Sequence, residues 1–183
     1  INFFIVLNLL FLSKIIQLLI YNYIPILFTK IMSNNTTLHL EGIQTHIVNW
    51  LKTYATNSGV KGFVIGISGG IDSALTSTLC AQTGFPVLCV EMPIHQAESH
   101  VNRANEHIHQ LESRFPNVSN ERVDLTPSFE TFKNSVPTCE NEAALSLTLA
   151  NTRARLRMTT LYYLAGIHGF LVAGTANKVE DFG

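Results

Sequence analysis

The sequence predicts an α/β fold built on an open, doubly wound parallel sheet with helices on both faces. Short and nearly continuous apolar runs, typical of strands buried on both sides, alternate with longer segments of helical spacing. No internal repeat or low-complexity linker interrupts this alternation from Met32 onward. Strands that alternate with helices pair in parallel through right-handed crossovers, and these crossovers place helices on both faces of one sheet.

In the first half of the chain, two predicted helices flank the first predicted strand. A helix is predicted over residues 38–56, where apolar residues recur every three or four positions, and Gly59 follows its end. The apolar run 62–67 is the first strand. A second helix is predicted over residues 73–82, with Gly84 as its stop. Its core-facing residues are expected to be Ala74, Leu75, Thr78 and Leu79.

The second half of the chain continues the alternation. The expected elements are a strand over 86–92, a polar helix over 97–112, a strand over 121–125, a helical stretch over 140–168 and a strand over 169–173. The helical stretch is long because neither proline nor glycine interrupts it before Gly166.

Composition excludes several classes of protein. The chain has 183 residues, a hydrophobic content of 46% and a formal net charge of −1, so it lacks the basic excess of a general nucleic-acid binder. The three cysteines form no CxxC pair, which argues against a zinc ribbon or a disulfide framework. We expect a cytoplasmic protein with three reduced thiols, two of them in or near the core.

Residues 1–31 differ from the rest of the chain. They are almost all Ile, Leu, Phe, Asn, Tyr and Lys, which allows either a membrane anchor or translated upstream sequence before a true start at Met32. The second interpretation is favoured because polar residues interrupt the apolar run and no basic n-region precedes it. If residues 1–31 are not native, no membrane association is expected. Residues 32–183 are then one domain, which we expect to be incomplete because the chain stops just after a loop.

A glycine-rich loop, Ser68-Gly69-Gly70-Ile71-Asp72-Ser73, joins the first predicted strand to the second helix. It lies at the carboxyl end of its strand, where open parallel sheets bind ligands. Glycines allow consecutive N–H groups to face an anion, and the helix beginning near Asp72 adds its positive dipole end. The hydroxyls of Ser68 and Ser73 can donate to phosphate oxygens. The loop therefore predicts a phosphate site.

Asp72 narrows the kind of phosphate site, because a carboxylate repels phosphate unless a cation lies between them. A Mg²⁺ ion that bridges Asp72 to the phosphates explains its presence. The alternative is a glycine turn without a ligand in which Asp72 caps the helix. The complete hexapeptide between a strand and a helix favours a nucleotide. Two other nucleotide loops, GxxxxGK[ST] and GxGxxG, are absent.

Residues 66–73 resemble the PP-loop of the N-type ATP pyrophosphatases. The resemblance implies an adenine nucleotide alpha hydrolase-like, Rossmann-like fold, so that residues 32–183 are a PP-loop ATP-pyrophosphatase domain. Members of that superfamily cleave ATP between its α- and β-phosphates and adenylate an oxygen of their substrate. The loop alone does not identify the substrate.

Two further segments resemble the NAD⁺ synthetase family. Residues 151–158 (NTRARLRM) match its N-x-x-A-R-x-R-M helix, and residues 174–181 (GTANKVED) match its G-T-x-N-K-x-E-D turn. The resemblance covers about residues 40–183. It implies a homodimeric ligase that makes NAD⁺ from deamido-NAD⁺, ATP and ammonia through an NAD-adenylate, releasing AMP and pyrophosphate. Ammonia is the expected nitrogen source because only about thirty residues separate Met32 from the first strand, too few for a glutaminase domain.

The resemblance also implies roles for single residues. Those implied to bind ATP are Gly66, Ile67, Ser68, Gly69, Gly70, Ile71, Asp72, Ser73 and Thr175. Arg155 is implied to contact deamido-NAD⁺, and Asp72 and Glu180 are implied to bind Mg²⁺. The residues themselves agree in part, because Thr175 and Glu180 follow the fourth strand and so share a sheet edge with the loop. No covalent nucleophile is required.

Other candidate residues have a more ordinary expectation. Arg153, Arg155 and Arg157 alternate, so successive side chains point about 200° apart on a helix and cannot form one face. His95, His100, His107 and His109 lack metal-ligand spacing, which favours a polar surface helix. The segment 93–99 follows the second strand and is expected to cover the nucleotide.

The sequence alone leaves two alternative functions open. One is another PP-loop ligase, similar to GMP synthetase or to a tRNA-modifying enzyme, although no basic surface for RNA is indicated. The other is an inactive ATP-binding fragment, because the chain lacks the downstream region with which the family completes its site.

Overall fold

The computed structural model describes residues 39–96 and 98–175. The described residues from Glu41 onward belong to one compact unit; residues 1–40 are a separate unit, of which only His39 and Leu40 are described. The segment 1–31 and the proposed start at Met32 therefore lie outside the described residues, and so does the predicted boundary between the two regions.

A parallel sheet of four strands forms the centre of this unit. The strands are β1 (Phe63–Gly66), β2 (Val87–Glu91), β3 (Val118–Arg122) and β4 (Leu171–Val172), in the order β3-β2-β1-β4. In β1, Phe63 lies opposite Val87 of β2 on one side and opposite Leu171 of β4 on the other. The predicted open parallel sheet is confirmed, and its central strands are the apolar runs that predicted it.

Within the described residues, five helices flank the strands and cover both faces of the sheet. They are α1 (Leu40–Ser58), α2 (Ile71–Gln82), α3 (Glu98–Arg114), α4 (Thr126–Ser135) and α5 (Glu142–His168). Among the described helices, none has the combination of length and hydropathy that a membrane-spanning segment needs.

Alternate residues of the central strands face two separate cores. On one face, Phe63 and Ile65 pack with α1, α2 and α3 through side chains such as Ala55, Cys80 and Ile108. On the other face, strand side chains pack with α4 and α5; this second core contains Val64, Leu88, Val90, Phe129, Leu164 and Ala165. The period of two in a strand produces this division, which confirms helices on both faces of the sheet.

Local sequence signals set the ends of α5. The Asn141 side chain accepts a hydrogen bond from the Ala144 N–H at 3.1 Å, which satisfies a free donor of the first turn. At the other end, Gly169 adopts a left-handed conformation with φ of 69° and donates its N–H to the Ala165 carbonyl. Between these caps the helix runs unbroken for 27 residues.

The structure differs from the predicted elements in two places. The third strand is Val118–Arg122 rather than 121–125, because this edge strand is largely exposed and carries little of the apolar signal that marks a buried one. Helix α4 was not predicted, since its ten residues contribute a single buried side chain, Phe129, to the core.

The inward face of α2 also differs from the prediction. Its buried residues are Ser73, Ser77, Cys80 and Ala81, whereas Leu75 is 57% exposed. Small side chains face the sheet here, and the buried hydroxyls are satisfied locally: Ser77 Oγ donates to the Ser73 carbonyl at 2.8 Å. The prediction selected a neighbouring, more apolar stripe of α2 as its buried face.

Two of the three cysteines are in the core, as predicted. Cys80 and Cys89 are buried and Cys139 is exposed. Burial disfavours the thiolate and raises the pKa of each buried thiol to about 12, so both behave as small apolar side chains.

Candidate functional site

The loop between β1 and α2 begins as an extension of the sheet. The Ile67 N–H donates to the Val90 carbonyl at 2.9 Å, which continues the pairing of β1 with β2 by one residue. The chain then turns sharply at Gly69, whose φ of 80° is a left-handed conformation that disfavours a side chain. Helix α2 follows at once, so its amino end lies at the carboxyl edge of the sheet.

Two serine hydroxyls hold the loop in this turn. Ser68 Oγ lies 3.2 Å from Ser73 Oγ and accepts from the Gly70 N–H at 3.2 Å. Ser73 Oγ in turn donates to the Gly70 carbonyl at 3.0 Å. Hydroxyl groups and N–H groups are therefore gathered within hydrogen-bond distance of one another at the amino end of α2. That is a donor set of the kind that binds phosphate oxygens.

The loop geometry disfavours the alternative in which Asp72 caps the helix. The N-cap of α2 is Gly70, which has no side chain and makes no side-chain cap. Asp72 lies inside the first turn instead. A carboxylate there interacts favourably with the helix dipole and stands beside the loop's donors.

Two small clefts border the loop. One of them, of about 30 Å³, is called the loop cleft; its lining residues are Ile67, Gly69, Gly70, Ser73, Ala74, Arg103 and His107. The second cleft, of about 10 Å³, is lined by Ile67, Ser68, Glu91, Met92, Pro93, Gln96 and Ala104. Helix α3 therefore contributes side chains to the surroundings of the loop, which the sequence did not indicate.

His107 is half-buried between α3 and α2 rather than exposed on a polar surface helix. Its Nε2 lies 2.8 Å from Ser77 Oγ. Because the Ser77 hydroxyl proton is directed to the Ser73 carbonyl, the consistent arrangement has His107 Nε2–H donating to Ser77. Burial, helped by the charge of Arg114, lowers the pKa of His107, so the neutral ring is favoured.

Glu91 ends β2 at the edge of the second cleft and is only 6% exposed. With its nitrogen turned toward Glu91, the Asn105 amide donates to both carboxylate oxygens. Burial raises the pKa of Glu91, while the charges of Arg122 and His109 oppose that rise. Sequence reasoning missed this residue, although an acidic residue at the end of a buried apolar strand was a usable signal.

The predicted residues after the fourth strand are described in part. Thr175 follows β4, and Val172 of β4 lies opposite Val64 of β1, so Thr175 shares the carboxyl edge with the loop. Glu180 lies outside the described residues. Within residues 39–96 and 98–175, no group of three or more His, Cys, Asp or Glu side chains could hold a metal ion.

The three alternating arginines of α5 divide between its two faces, as their spacing predicts. Arg157 is turned inward and donates from Nε to the Met92 carbonyl at 3.0 Å; burial, with the charge of Arg153, lowers its pKa. The Arg153 guanidinium stacks 5.5 Å from the centroid of the Phe129 ring. Arg155 is exposed and folds back along its own helix, with Nη1 donating to the Asn151 carbonyl and Oδ1 at 3.1 Å each.

The segment that follows β2 contacts α4 through His95 and Glu130. His95 Nε2 lies 2.7 Å from Glu130 Oε1, and this contact lowers the pKa of the Glu130 carboxyl. His95 has a φ of 48°, an uncommon conformation for a residue with a side chain. Pro93 and Gln96 of the same segment line the second cleft.

A Ser-Gly-Gly loop that leads from the central strand of a parallel sheet into a helix defines a Rossmann-like protein of the PP-loop class. The comparison with known protein families identifies the family within this class. The model of the family described as "NAD synthase" matches residues 43–182. The chain therefore belongs to the NAD synthase family.

Individual relatives agree with this assignment. The chain is 36% identical over 143 residues to an NH(3)-dependent NAD(+) synthetase of Methanosarcina mazei, covering 77% of this chain and 54% of the relative. It thus spans about half the length of the curated relatives that it matches.

Two solved structures share the fold. An NMN synthetase from Francisella tularensis superposes with a TM-score of 0.68 at 30% identity, covering 79% of this chain and 57% of that one. An NH3-dependent NAD synthetase from Campylobacter jejuni superposes with a TM-score of 0.69 at 26% identity, covering 80% of this chain and 62% of that one.

The first prediction separates the inward arginine from the outward one. Replacing Arg157 by Ala should lower the free energy of unfolding by about 1–3 kcal/mol, because a part-buried, charge-assisted hydrogen bond to the Met92 carbonyl is lost. Replacing Arg155 by Ala should change it by less than about 0.5 kcal/mol, since that side chain is exposed. Urea denaturation of both variants measures the difference; equal losses would contradict the assignment of faces.

The second prediction concerns acid sensitivity. The folded state lowers the pKa of His107 from its usual 6.5, so the unfolded chain binds a proton more readily. The stability that neutral His107 contributes is complete above about pH 6.5 and is lost as the pH falls below it. Replacing His107 by Gln keeps a donor for Ser77 and should flatten the acid side of the stability curve. An unchanged slope below about pH 6.5 in urea titrations would contradict this role.

Proposed function

We propose that this chain carries the ATP site of an ammonia-dependent NAD⁺ synthetase, which makes NAD⁺ from deamido-NAD⁺, ATP and ammonia. The observation that carries the proposal is the turn at Gly69, which brings two serine hydroxyls to the amino end of α2 at the carboxyl edge of the sheet. The curated relatives are NH(3)-dependent NAD(+) synthetases, which supports the choice of substrate and of ammonia as the nitrogen source. A cytoplasmic location is proposed with it.

In this proposal the loop binds the phosphates of ATP. Residues 66–73 supply the backbone of the turn, and the hydroxyls of Ser68 and Ser73 rotate from one another toward phosphate oxygens. Thr175 contacts the nucleotide from the neighbouring strand, whose carboxyl end lies at the same edge. These contacts hold the α-phosphorus in place and offset negative charge without any covalent nucleophile from the protein.

The residues of the loop also fit Mg²⁺. Its preferred ligands are carboxylate and phosphate oxygens, and Asp72 stands in the first turn of α2 beside the proposed phosphate site. We assign Asp72 and Glu180 as its protein ligands. Bound there, the ion would neutralise charge on the phosphates of ATP.

The proposed reaction has two steps. A carboxylate oxygen of deamido-NAD⁺ attacks the α-phosphorus of ATP, and the α–β phosphate bond breaks to release pyrophosphate. Ammonia then attacks the carbonyl of the NAD-adenylate, loses a proton, and displaces AMP to give NAD⁺. The protein's contribution is to orient the two substrates, with Arg155 holding deamido-NAD⁺ by its negative groups.

We also propose a homodimer in which a second copy covers the outer face of α5. Leu147, Met158 and Tyr162 are exposed apolar side chains that fall within about 80° of Arg155 around the helix. A pairing through this face would bring the substrate arginine to the interface. Sedimentation equilibrium tests it, and a monomer at assay concentrations would contradict it.

One other substrate has a specific observation in its favour. The solved structure from Francisella tularensis, with a TM-score of 0.68, is named an NMN synthetase. The same adenylation chemistry applied to the mononucleotide would use the same ATP site. We therefore keep nicotinate mononucleotide as the second candidate in place of deamido-NAD⁺.

The third prediction tests the ATP site in the full chain. Titration with ATP and Mg²⁺ should show saturable binding, and replacing Asp72 by Asn should weaken it at least about tenfold, close to 1.4 kcal/mol. The matched control is Asp124→Asn, because Asp124 is exposed, accepts from the Thr126 N–H and follows the edge strand β3, which is separated from β1 by β2.

The same preparation distinguishes the substrates. With ATP and ammonium, amide formation is compared between deamido-NAD⁺ and nicotinate mononucleotide, and we expect turnover or the adenylate only with the dinucleotide. No saturable ATP binding, or equal losses in the Asp72 and Asp124 variants, would contradict the proposed site.

A further inference from the structure

The loop cleft lies between two different elements of the fold. One wall is the turn itself, with Gly69, Gly70 and Ser73. The other is α3, which presents Arg103 and His107 across from the turn. Neither α3 residue lies in one of the three motifs, 66–73, 151–158 and 174–181, and the proposed mechanism does not use either one.

The packing of α3 explains why Arg103 reaches the loop. Its buried stripe, Ala104, Ile108 and Leu111, fixes the rotation of the helix against the sheet. Positions 103 and 107 are one turn apart on the neighbouring stripe, which turns toward α2. The hydrogen bond from His107 to Ser77 joins the two helices at that level.

The two helices run in the same direction, away from the carboxyl edge of the sheet, because each follows a parallel strand. His107 contacts Ser77. One helical turn closer to the loop, the corresponding residues are therefore Arg103 on α3 and Ser73 on α2. The two positions lie at the same height, and both line the loop cleft.

We propose that Arg103 is an additional phosphate-binding residue, which contacts the pyrophosphate part of ATP from α3; this rests on the proposed function. A guanidinium offers planar donors that match phosphate oxygens. The cleft is small, at about 30 Å³, so a phosphate group would sit at its mouth between Arg103 and the loop.

The location gives Arg103 a particular task in the proposed reaction. When the α–β phosphate bond breaks, negative charge develops on the departing pyrophosphate, and a cation held beside the loop stabilises that charge. His107 is then a positioning residue, since its bond to Ser77 holds α3 at the height of the loop. Arg103 should matter for ligands that carry the β- and γ-phosphates and not for AMP.

The experiment compares variants of the full chain in binding ATP with Mg²⁺, in binding AMP, and in competition of inorganic pyrophosphate against ATP. Arg103→Gln should weaken ATP and pyrophosphate at least about tenfold and change AMP less than about twofold, while the variant keeps a cooperative urea transition. Arg103→Lys should recover part of the loss, since it restores the charge without the planar fork.

The matched control is Arg114→Gln, which removes the same charge from the far end of the same helix, where the guanidinium stacks on Phe115. It should leave all three affinities within twofold of the unsubstituted chain. Equal ATP affinity in the Arg103→Gln variant, or an equal loss for AMP and ATP, would overturn this inference alone. Failure of the unsubstituted chain to bind ATP would overturn the proposed function, and this inference with it.

Discussion

Strand β1 pairs with β2 on one side and with β4 on the other, and all three run in the same direction. This parallel pairing places the loop, Glu91 and Thr175, because it brings the carboxyl ends of three strands to one edge of the sheet. The loop follows β1, Glu91 ends β2, and Thr175 follows β4. Without this parallel pairing, the loop and Thr175, which are more than a hundred positions apart in sequence, would not lie at the same edge of the sheet.

Helix α5 shows that a motif shared with the family also contributes to packing. Its run N-x-x-A-R-x-R-M contains Arg157, which is bonded to the end of β2 through the Met92 carbonyl, and Arg155, which is exposed. Part of the motif is therefore structural, because Arg157 holds α5 against the end of β2, beside the second cleft. Only the outward arginine is available for the substrate that we propose.

The sequence predicted the features that depend on local spacing and failed where long-range packing decides. The alternation of apolar runs and helices, and the loop with its turn at Gly69, are encoded within short windows. Helix α4 was missed because only Phe129 of it is buried, and the inward face of α2 was misjudged because small polar side chains pack against the sheet. The contact of His107 with Ser77 joins residues 30 positions apart, which no local pattern marks.

The most direct test of the account is hydrogen–deuterium exchange of the full chain with and without ATP and Mg²⁺. If the loop binds the phosphates, exchange should slow in the segment 67–75, whose N–H groups form the turn and the first turn of α2. The segments 59–62 and 83–86, at the opposite edge of the sheet, should be unchanged. Unaltered exchange in 67–75 at a saturating concentration of ATP would contradict the account.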